Sequence, residues 1–391
     1  MEVNWPADSM IPSDSTFRLF YKNVWRPGLV RLLGHNQLSI DRTELISIAN
    51  KHLEYGNRDT YQPATPIGPK PMPPELQLKN RPLSDPKPFV CELSDVELVG
   101  PPAVPITNRG KFVVEATEGS TGLLADSILS VLRSRQLPLY RNSGFHRTRP
   151  LVSLVGFWCN GFYHWFADYL PQVRGIERYA EETGTYPDVF IPTNGPAWQR
   201  DSLEYVGVPS ERIIPWDGNR VRLSSFVVPS IPRYTELDSP DWGYSPSPGG
   251  LRWVANRLRE AVDADLGRDQ RVLVTRRDAS TRRIKNEEEV LETLAPYGFN
   301  PVTLSKLPLR KQIELFAQAD IVVAPHGAGL INSIYSNNLT ILELFGEYVN
   351  ACYYCLAGGL DFTYQYERCL DIDGDLHVDT NSLETAVKDL I

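Results

Sequence analysis

The chain has 391 residues, of which 42% are hydrophobic and 23% are charged, and this length predicts two domains plus an extension. Its formal net charge of -8 argues against a nucleic-acid-binding protein, because binding along a phosphate backbone requires an excess of Lys and Arg. The five cysteines are scattered, and the sequence shows neither a leader-like start nor an apolar run of membrane-spanning length, so we expect a cytoplasmic protein.

The first 85 residues are predicted to form an N-terminal arm and a linker. Residues 16–34 mix Phe, Trp and Leu with basic residues and contain no acid. Such a segment is typical either of a peripheral contact with the inner, anionic face of a membrane or of an arm packed on the body, and Pro27 with Gly28 would break a long helix there. Residues 61–88 are dense in proline, which indicates an extended linker.

Residues 86–245 alternate between strand-like and helix-like segments. Short apolar runs predict strands, and longer runs with apolar residues at helical spacing predict helices. The predicted strands are 89–100, 111–116, 151–157 and 187–192, and the predicted helices are 123–135, 163–182 and 197–207. This alternation predicts a parallel sheet flanked by helices, and hence a Rossmann-like domain. The stretch 236–250, rich in Pro, Ser and Gly, predicts the domain boundary.

Residues 246–391 alternate more regularly. The predicted strands are 271–276, 300–305, 320–325 and 340–345, and the predicted helices are 286–298, 308–319 and 327–338. Asn286 is followed three residues later by Glu289, which resembles a capping box at the start of a helix. The βαβαβ order predicts a second Rossmann-like domain, and the whole chain is therefore predicted to be of the α/β class.

The turn from His326 to Gly329 follows a predicted strand and opens a predicted helix. In open α/β sheets, ligands bind beyond the carboxyl ends of the strands, and the N–H groups at a helix start favour an anion. Gly327 and Gly329, on either side of Ala328 in the predicted site, would let the backbone approach a ligand closely, and His326 would add a hydrogen-bond donor. The alternative is ordinary strand-to-helix turn chemistry.

A cluster of basic residues follows the predicted strand 271–276. It consists of Arg276, Arg277, Arg282 and Arg283. Planar guanidinium groups suit phosphate oxygens, whereas the alternative is a solvated loop with surface ion pairs to acids such as Glu287. Glu343 lies near the end of another predicted strand, where a carboxylate could accept both hydroxyls of a ribose or could face solvent. Together these residues predict a nucleotide-diphosphate site, although neither a P-loop motif nor a dinucleotide-binding GxGxxG motif is present.

His164 and Asp168 are four residues apart in the predicted helix 163–182, so they share one helix face. A carboxylate can orient an imidazole, and either group can act as a base. The alternative is a structural pair packed among the neighbouring aromatic residues. A zinc site built on the two residues would lack a third nearby ligand, so we predict no zinc at this pair.

Three sequence blocks, NGFYHWFADYLPQV, VTRRDASTRRIKNEEEV and APHGAGLINSIYSNNLTILELF, resemble in this order the signatures of glycosyltransferase family 61, the capsular polysaccharide biosynthesis type. The resemblance covers roughly Leu151 to Phe345 and is weaker from about Phe89. It implies a GT-B architecture, in which two Rossmann-like domains face each other across a cleft: an acceptor-side domain at 86–245 and a nucleotide-sugar-binding domain at 246–391. Residues 1–85 would form an N-terminal extension.

The resemblance also implies an inverting, metal-independent transfer from a nucleotide-diphosphate sugar to a glycan acceptor, free or lipid-linked, with no further cofactor. The family's phosphate-binding arginines correspond to Arg276 and Arg283, and its His-Gly motif corresponds to His326 and Gly327. Its ribose-binding acid corresponds to Glu343. The candidate base is Asp168 or His164, which the sequence does not rank.

Two further functions are compatible with the sequence. One is the transfer of a different group, such as pyruvyl, to a glycan. The other is a catalytically silent glycan-binding or scaffold subunit, although such a subunit would have no use for a complete leaving-group site. Acidic pairs at 263–265 and 371–375 have the spacing by which other glycosyltransferases hold a divalent ion, but we interpret them as solvated loops. The sequence makes no prediction about the oligomeric state.

Overall fold

The computed structural model describes residues 25–34, 38–69, 71–133, 145–235, 244–267 and 269–391. The chain divides into two units. The N-terminal unit comprises Met1–Asn57 and Lys87–Pro232, and the C-terminal unit comprises Arg58–Pro86 and Arg233–Ile391. Most of the proline-rich stretch therefore belongs to the C-terminal unit, and the chain passes into that unit a second time near residue 233.

The strands are, in chain order, β1 (Ser39–Ile40), β2 (Lys51–Glu54), β3 (Thr60–Tyr61), β4 (Leu83–Ser84), β5 (Phe89–Val99), β6 (Val104–Thr107), β7 (Phe112–Val113), β8 (Phe145–Arg147), β9 (Leu151–Ser153), β10 (Asp188–Pro192), β11 (Ile213–Trp216), β12 (Arg220–Pro229), β13 (Arg233–Thr235), β14 (Tyr244–Pro246), β15 (Gln270–Val274), β16 (Phe299–Val302), β17 (Ala319–Pro325), β18 (Thr340–Phe345), β19 (Thr363–Arg368), β20 (Leu370–Ile372) and β21 (Asp375–His377).

The α-helices are, in chain order, α1 (Arg26–Gly34), α2 (Arg42–Ile48), α3 (Pro74–Lys79), α4 (Thr121–Arg133), α5 (Phe162–His164), α6 (Val173–Thr183), α7 (Ala197–Tyr205), α8 (Pro248–Val262), α9 (Glu287–Leu294), α10 (Leu309–Ala317), α11 (Cys352–Leu360) and α12 (Thr380–Lys388). A π-helical turn covers Trp165–Tyr169, and 3₁₀ turns cover Leu170–Gln172, Ser210–Arg212, Ala295–Tyr297, Leu304–Lys306 and Ala328–Tyr335.

The N-terminal unit contains a mixed sheet of order β1-β7-β6-β5-β12-β9-β10-β11, with β2 beside β5 and β8 beside β12. Only part of it matches the predicted parallel sheet: β9, β10 and β11 run parallel, whereas β5 pairs antiparallel with both β6 and β12. Connection length explains the pairing of β5 with β6. β5, β6 and β7 follow one another through short turns, which allow antiparallel neighbours without a crossover helix. The core of this sheet includes Leu93, Leu151, Leu223 and Phe226.

Helix α1, the described end of the basic arm, packs against α4 through a cluster that includes Leu33 and Leu124. An ion pair of 2.9 Å joins Arg26 to Asp126 in α4. Pro27 lies in the first turn of α1, where its missing N–H costs nothing. Residues 16–24 of the predicted membrane-contact segment lie outside the described residues. Among the helices that the structure describes, none is both long enough and apolar enough to span a membrane.

The predicted helix 163–182 forms as a succession of turns rather than one regular helix. Pro171 lacks an N–H, and its ring would collide with the carbonyl four residues earlier in a regular α-helix. The chain passes from α5 through the π turn and a 3₁₀ turn before α6 begins at Val173. Asp168 lies in the π turn, a geometry found frequently at functional sites.

The C-terminal unit contains a parallel five-stranded sheet of order β16-β15-β17-β18-β19, which confirms the predicted βαβαβ arrangement. Val272, Val322 and Ile341 are fully buried in its central strands, as expected for a parallel sheet covered on both faces. In sequence order the strands run 2-1-3-4-5, so the order reverses between β15 and β17. Ligands of such folds bind at this switch point, beyond the carboxyl ends of the strands.

Two local predictions in this unit were wrong in detail. Asn286 is the residue before α9, but its side chain makes no capping bond. Instead its Nδ2 donates to Glu289 Oε2 at 3.0 Å and to the Val378 carbonyl at 2.9 Å, which ties α9 to the chain after β21. The predicted helix 327–338 is a 3₁₀ helix over Ala328–Tyr335.

Candidate functional site

The turn after β17 lies at the switch point of the parallel sheet. The backbone N–H of His326 donates to the Leu344 carbonyl at 3.0 Å and so extends the pairing of β17 with β18. The 3₁₀ helix then begins at Ala328, and the Leu330 N–H donates to the Gly327 carbonyl at 3.1 Å. The N–H groups of Ala328 and Gly329 lie in the first turn of this helix, where no helical carbonyl is available to accept from them. Ala328 is exposed.

The His326 ring is enclosed by aromatic side chains and one carboxylate. Its Nδ1 lies 2.5 Å from Glu343 Oε1. The ring stacks on Phe345 at 5.7 Å between centroids, and the rings of Tyr348 and Tyr353 stand 5.4 and 5.6 Å away. The Tyr353 hydroxyl donates to the Gly327 carbonyl at 2.7 Å. These contacts fix both the orientation of the imidazole and the path of the backbone that follows it.

Glu343 does not occupy the position that the resemblance implied. Its side chain is 0% exposed, and both carboxylate oxygens are engaged inside the protein. One faces His326, and the other accepts a 2.6 Å hydrogen bond from the Tyr364 hydroxyl. Burial, followed by the charge of Glu343, raises the pKa of Tyr364 well above its ordinary value, so this hydroxyl stays a donor. In the structure Glu343 is thus a buried partner of His326, and the implied ribose role stays a prediction.

Arg276 follows β15, Gly327 follows its parallel neighbour β17, and Arg276 lies directly over Gly327. A Cβ added to Gly327 would overlap the Arg276 guanidinium. Gly327 has φ 175°, which any residue can adopt, so glycine is needed here for room and not for its conformation. Burial, followed by the charge of Arg282, lowers the pKa of Arg276 to about 10. Gly329 makes room for a different neighbour, because its added Cβ would lie 2.7 Å from Leu304 Cδ1.

The remaining arginines of the cluster have three different environments. Arg283 binds Asp375 through two nitrogens, at 2.6 and 3.0 Å, and this ion pair raises the pKa of Arg283 and lowers that of Asp375. Arg277 Nε donates to Glu287 Oε1 at 2.7 Å, as expected for a surface ion pair. Arg282 lies over the Tyr348 ring, with 5.3 Å between its Cζ and the ring centroid. The implied phosphate role of Arg283 is therefore not supported, because its guanidinium is held by Asp375.

Sequence reasoning missed Tyr348, Tyr353 and Tyr364, which surround His326 and Glu343. Tyr353 follows Cys352 at the start of α11, and Tyr364 lies in β19 beside β18. The only local signal was their density in an apolar stretch, which is equally typical of a core. Their proximity to the His-Gly turn comes from the strand order, and that order cannot be read from spacing alone.

His164 and Asp168 form the pair that their spacing predicted. His164 Nδ1 lies 2.7 Å from Asp168 Oδ2, and the side chains are 25% and 4% exposed respectively. The imidazole stacks on Trp158 at 4.9 Å, and the Asp168 carbonyl accepts a 2.9 Å bond from Gln172 Nε2. The carboxylate thus fixes the ring through Nδ1, and the imidazole is the member of the pair that reaches the surface.

Glu118, which no sequence motif singles out, supports this pair from a distant position in the chain. It is buried with φ 54°, and its Oε1 accepts from the Trp158 backbone N–H at 3.2 Å and from the Tyr169 hydroxyl. Trp158 stacks on His164, and Tyr169 follows Asp168 directly. Glu118 therefore holds two neighbours of the pair in place.

The acidic run 371–375 is not the solvated loop that we expected. It forms the β20–β21 hairpin, in which Asp371 accepts a 2.8 Å bond from the Gly374 N–H and Asp375 is buried against Arg283. Within the described residues, no three His, Cys, Asp or Glu side chains are grouped closely enough to hold a metal ion. The predicted metal independence stays a prediction.

Comparison with known proteins identifies a region that contains His164, Asp168, Arg276 and His326. A solved structure of a mutant flavo di-iron protein from Thermotoga maritima matches with 8% identity, 56% coverage of this chain, 77% coverage of its own chain and a TM-score of 0.24, which is too low to support an argument. The comparison with curated proteins gave no match. Residues 162–342 match the family model described as Glycosyltransferase 61. The resemblance carried by the three sequence blocks is thereby confirmed, and the chain carries a glycosyltransferase family 61 region that indicates glycosyltransferase activity.

Proposed function

We propose that this protein transfers a sugar from a nucleotide-diphosphate sugar to a hydroxyl of a glycan acceptor, with inversion and without a metal ion. The observation that carries the proposal is the position of Arg276 over Gly327, beside His326 and the start of the 3₁₀ helix. These groups bring positive charge and N–H donors to the switch point of a parallel sheet, which is where an anionic ligand would be held.

The electrostatics of Arg276 favour an anionic ligand. Within the part of the chain that the structure describes, no carboxylate lies within ion-pair distance of its guanidinium, which donates only long bonds of 3.3 and 3.4 Å to the Thr281 carbonyl. Burying a charge without a partner costs free energy, and the lowered pKa of Arg276 reflects that cost. A diphosphate would offset it, and the same groups would neutralise the charge that develops on the leaving group.

His164 is the better candidate for the base. The sequence left His164 and Asp168 unranked, but Asp168 is buried while His164 is partly exposed. In the proposed step, His164 Nε2 takes the proton of the acceptor hydroxyl as its oxygen forms a bond to the anomeric carbon. The bond from that carbon to the diphosphate oxygen breaks, and its electron pair leaves with the nucleoside diphosphate. Asp168 would orient the imidazole and stabilise its charged form.

The first test measures thermal stabilisation of the purified protein by nucleoside diphosphates and nucleotide sugars, with EDTA present. We expect at least one nucleotide to raise the melting temperature, because binding to the folded state alone stabilises it. Arg276→Ala should remove the shift. Gly327→Ala should weaken it with little change in the melting temperature of the free protein, because the new Cβ displaces only the end of a flexible side chain.

Gly329→Ala is the matched control for Gly327→Ala. Its Cβ meets Leu304, so it should lower the melting temperature of the free protein while leaving the position of Arg276 unchanged. If no nucleotide shifts the wild-type protein, the donor site is wrong, and the silent-subunit or pyruvyl-transfer alternatives gain. A shift that disappears with EDTA would contradict metal independence alone.

The proposal includes a lipid-linked acceptor, a cytoplasmic location and peripheral membrane contact through the basic arm. Its support is the composition of residues 16–34 together with Leu32, which is 54% exposed on α1. Deleting residues 1–24 keeps α1 and its packing on α4. We expect this deletion to shift the protein from the sedimenting fraction to the supernatant in vesicle assays with anionic lipids, and equal sedimentation of both forms would contradict the membrane contact.

A further inference from the structure

The segment 281–285 is fastened along its length to the β20–β21 hairpin. The Arg282 N–H donates to the Gly374 carbonyl at 2.6 Å, and the Arg283 N–H donates to Asp375 Oδ1 at 3.0 Å. The Leu376 N–H donates to the Arg283 carbonyl at 2.8 Å, and the Lys285 N–H donates to the Leu376 carbonyl at 2.7 Å. The ion pair of Arg283 with Asp375 adds a contact between side chains to these bonds.

These bonds hold Arg282 in a conformation that its own side chain disfavours. Arg282 has φ 58°, in the left-handed region where the Cβ of an ordinary residue approaches the following carbonyl too closely. The hairpin binds the N–H of Arg282 itself and the residues that follow it, so the surrounding structure enforces the strained backbone. Residues kept in such conformations cluster at ligand-binding sites, where the strain places a side chain that a relaxed backbone could not place.

The strained backbone directs the Arg282 guanidinium toward the aromatic side chains that enclose the His326 ring. It lies over Tyr348, and the Tyr348 ring stands 5.4 Å from the His326 ring. Its charge also contributes to the lowered pKa of Arg276. Of the residues that the structure describes, none offers the Arg282 guanidinium a carboxylate at ion-pair distance. Strain and charge repulsion both oppose this arrangement in the free protein, and a ligand with several negative charges would offset the repulsion.

We propose that Arg282 is the second guanidinium that binds the diphosphate, and that Arg283 and Asp375 are positioning residues that hold Arg282 in place. The inference rests on the proposed function, because it assigns a residue to the donor site of that function. Arg276 lies over Gly327, the residue after His326, and Arg282 lies over Tyr348, whose ring stands beside that of His326. Both guanidiniums therefore lie near the turn that follows β17. A diphosphate offers two phosphate groups to these two guanidiniums.

The test separates the effect of the strained backbone at Arg282 from the effect of the charge on its side chain. Arg282→Gly removes the guanidinium and also removes the strain, since glycine adopts the left-handed region freely. We expect the free variant to melt at the wild-type temperature or above it. Its Kd for uridine diphosphate, guanosine diphosphate or inorganic pyrophosphate, measured by isothermal titration calorimetry, should be weaker by about tenfold or more, the size of one charge-assisted hydrogen bond.

Arg277→Ala is the matched control, because it removes one positive charge from the same loop while its partner is Glu287. We expect its Kd to stay close to that of the wild type. If Arg282→Gly binds as tightly as the wild type, or no more weakly than Arg277→Ala, the assignment of Arg282 is overturned and the proposed function stands. If the wild-type protein binds none of the three probes while remaining folded, the proposed donor site fails and the assignment fails with it.

Discussion

Replacing His164 with alanine should lower the rate of sugar transfer by about 10²- to 10⁴-fold, the usual contribution of a general base. Donor affinity should not change, because the groups proposed to bind the diphosphate lie in the C-terminal unit. Asp168→Asn should also slow transfer, since it removes the carboxylate that fixes the imidazole through Nδ1. The measurements are initial rates at saturating donor, together with calorimetric titration of the nucleotide.

His146→Ala is the control for this prediction. His146 is an exposed histidine of the same unit that contacts Ser224 at 2.9 Å, and removing it should leave the transfer rate unchanged. If His164→Ala transfers sugar at the wild-type rate, the base has been misassigned, and the donor site remains to be judged by nucleotide binding. If His146→Ala slows transfer equally, the effect reflects a general disturbance of the unit rather than a missing base.

Replacing Glu343 with alanine should lower the free energy of unfolding by about 2 to 6 kcal/mol, because each of the two buried groups left without a partner costs about 1 to 3 kcal/mol. The substitution leaves His326 Nδ1 and the Tyr364 hydroxyl without their partner in a site closed to water. Tyr364→Phe removes only one hydrogen bond and should cost about 1 kcal/mol. Urea unfolding of the three proteins measures both differences.

The same experiment distinguishes the two roles considered for Glu343. If Glu343 is a ribose ligand on the surface, its removal should lower nucleotide affinity and leave the free energy of unfolding unchanged. If Glu343 is a buried partner of His326, its removal should lower the free energy of unfolding. Glu347→Ala supplies the control, because Glu347 is an exposed glutamate shortly after the same strand and should change stability by no more than about 0.5 kcal/mol. Equal stability of Glu343→Ala and Glu347→Ala would restore the ribose assignment.

Several features of this protein could be determined from sequence alone because they depend on neighbouring residues. The strands β15, β17 and β18 are apolar runs of Val, Leu and Ile, and their alternation with helices predicts a parallel sheet. The carboxyl ends of such strands meet at one edge, which is why Arg276 and His326 could be expected together. The i,i+4 pair of His164 and Asp168 needs only one helical turn. The family followed from the order of three motifs.

Only the tertiary structure decided which side chain faces which partner. In the sequence, Glu343 is an acid near the end of a predicted strand. The sheet order places β19 beside β18 and so brings Tyr364, 21 residues later, against Glu343. Arg282 and Arg283 are indistinguishable by composition, and Asp375, 92 residues beyond Arg283, pairs with it and leaves Arg282 over Tyr348. Likewise, only the folded chain shows that β5 pairs with the distant β12. Local patterns record secondary structure and motif order, whereas burial and pairing between distant segments arise only when the chain is folded.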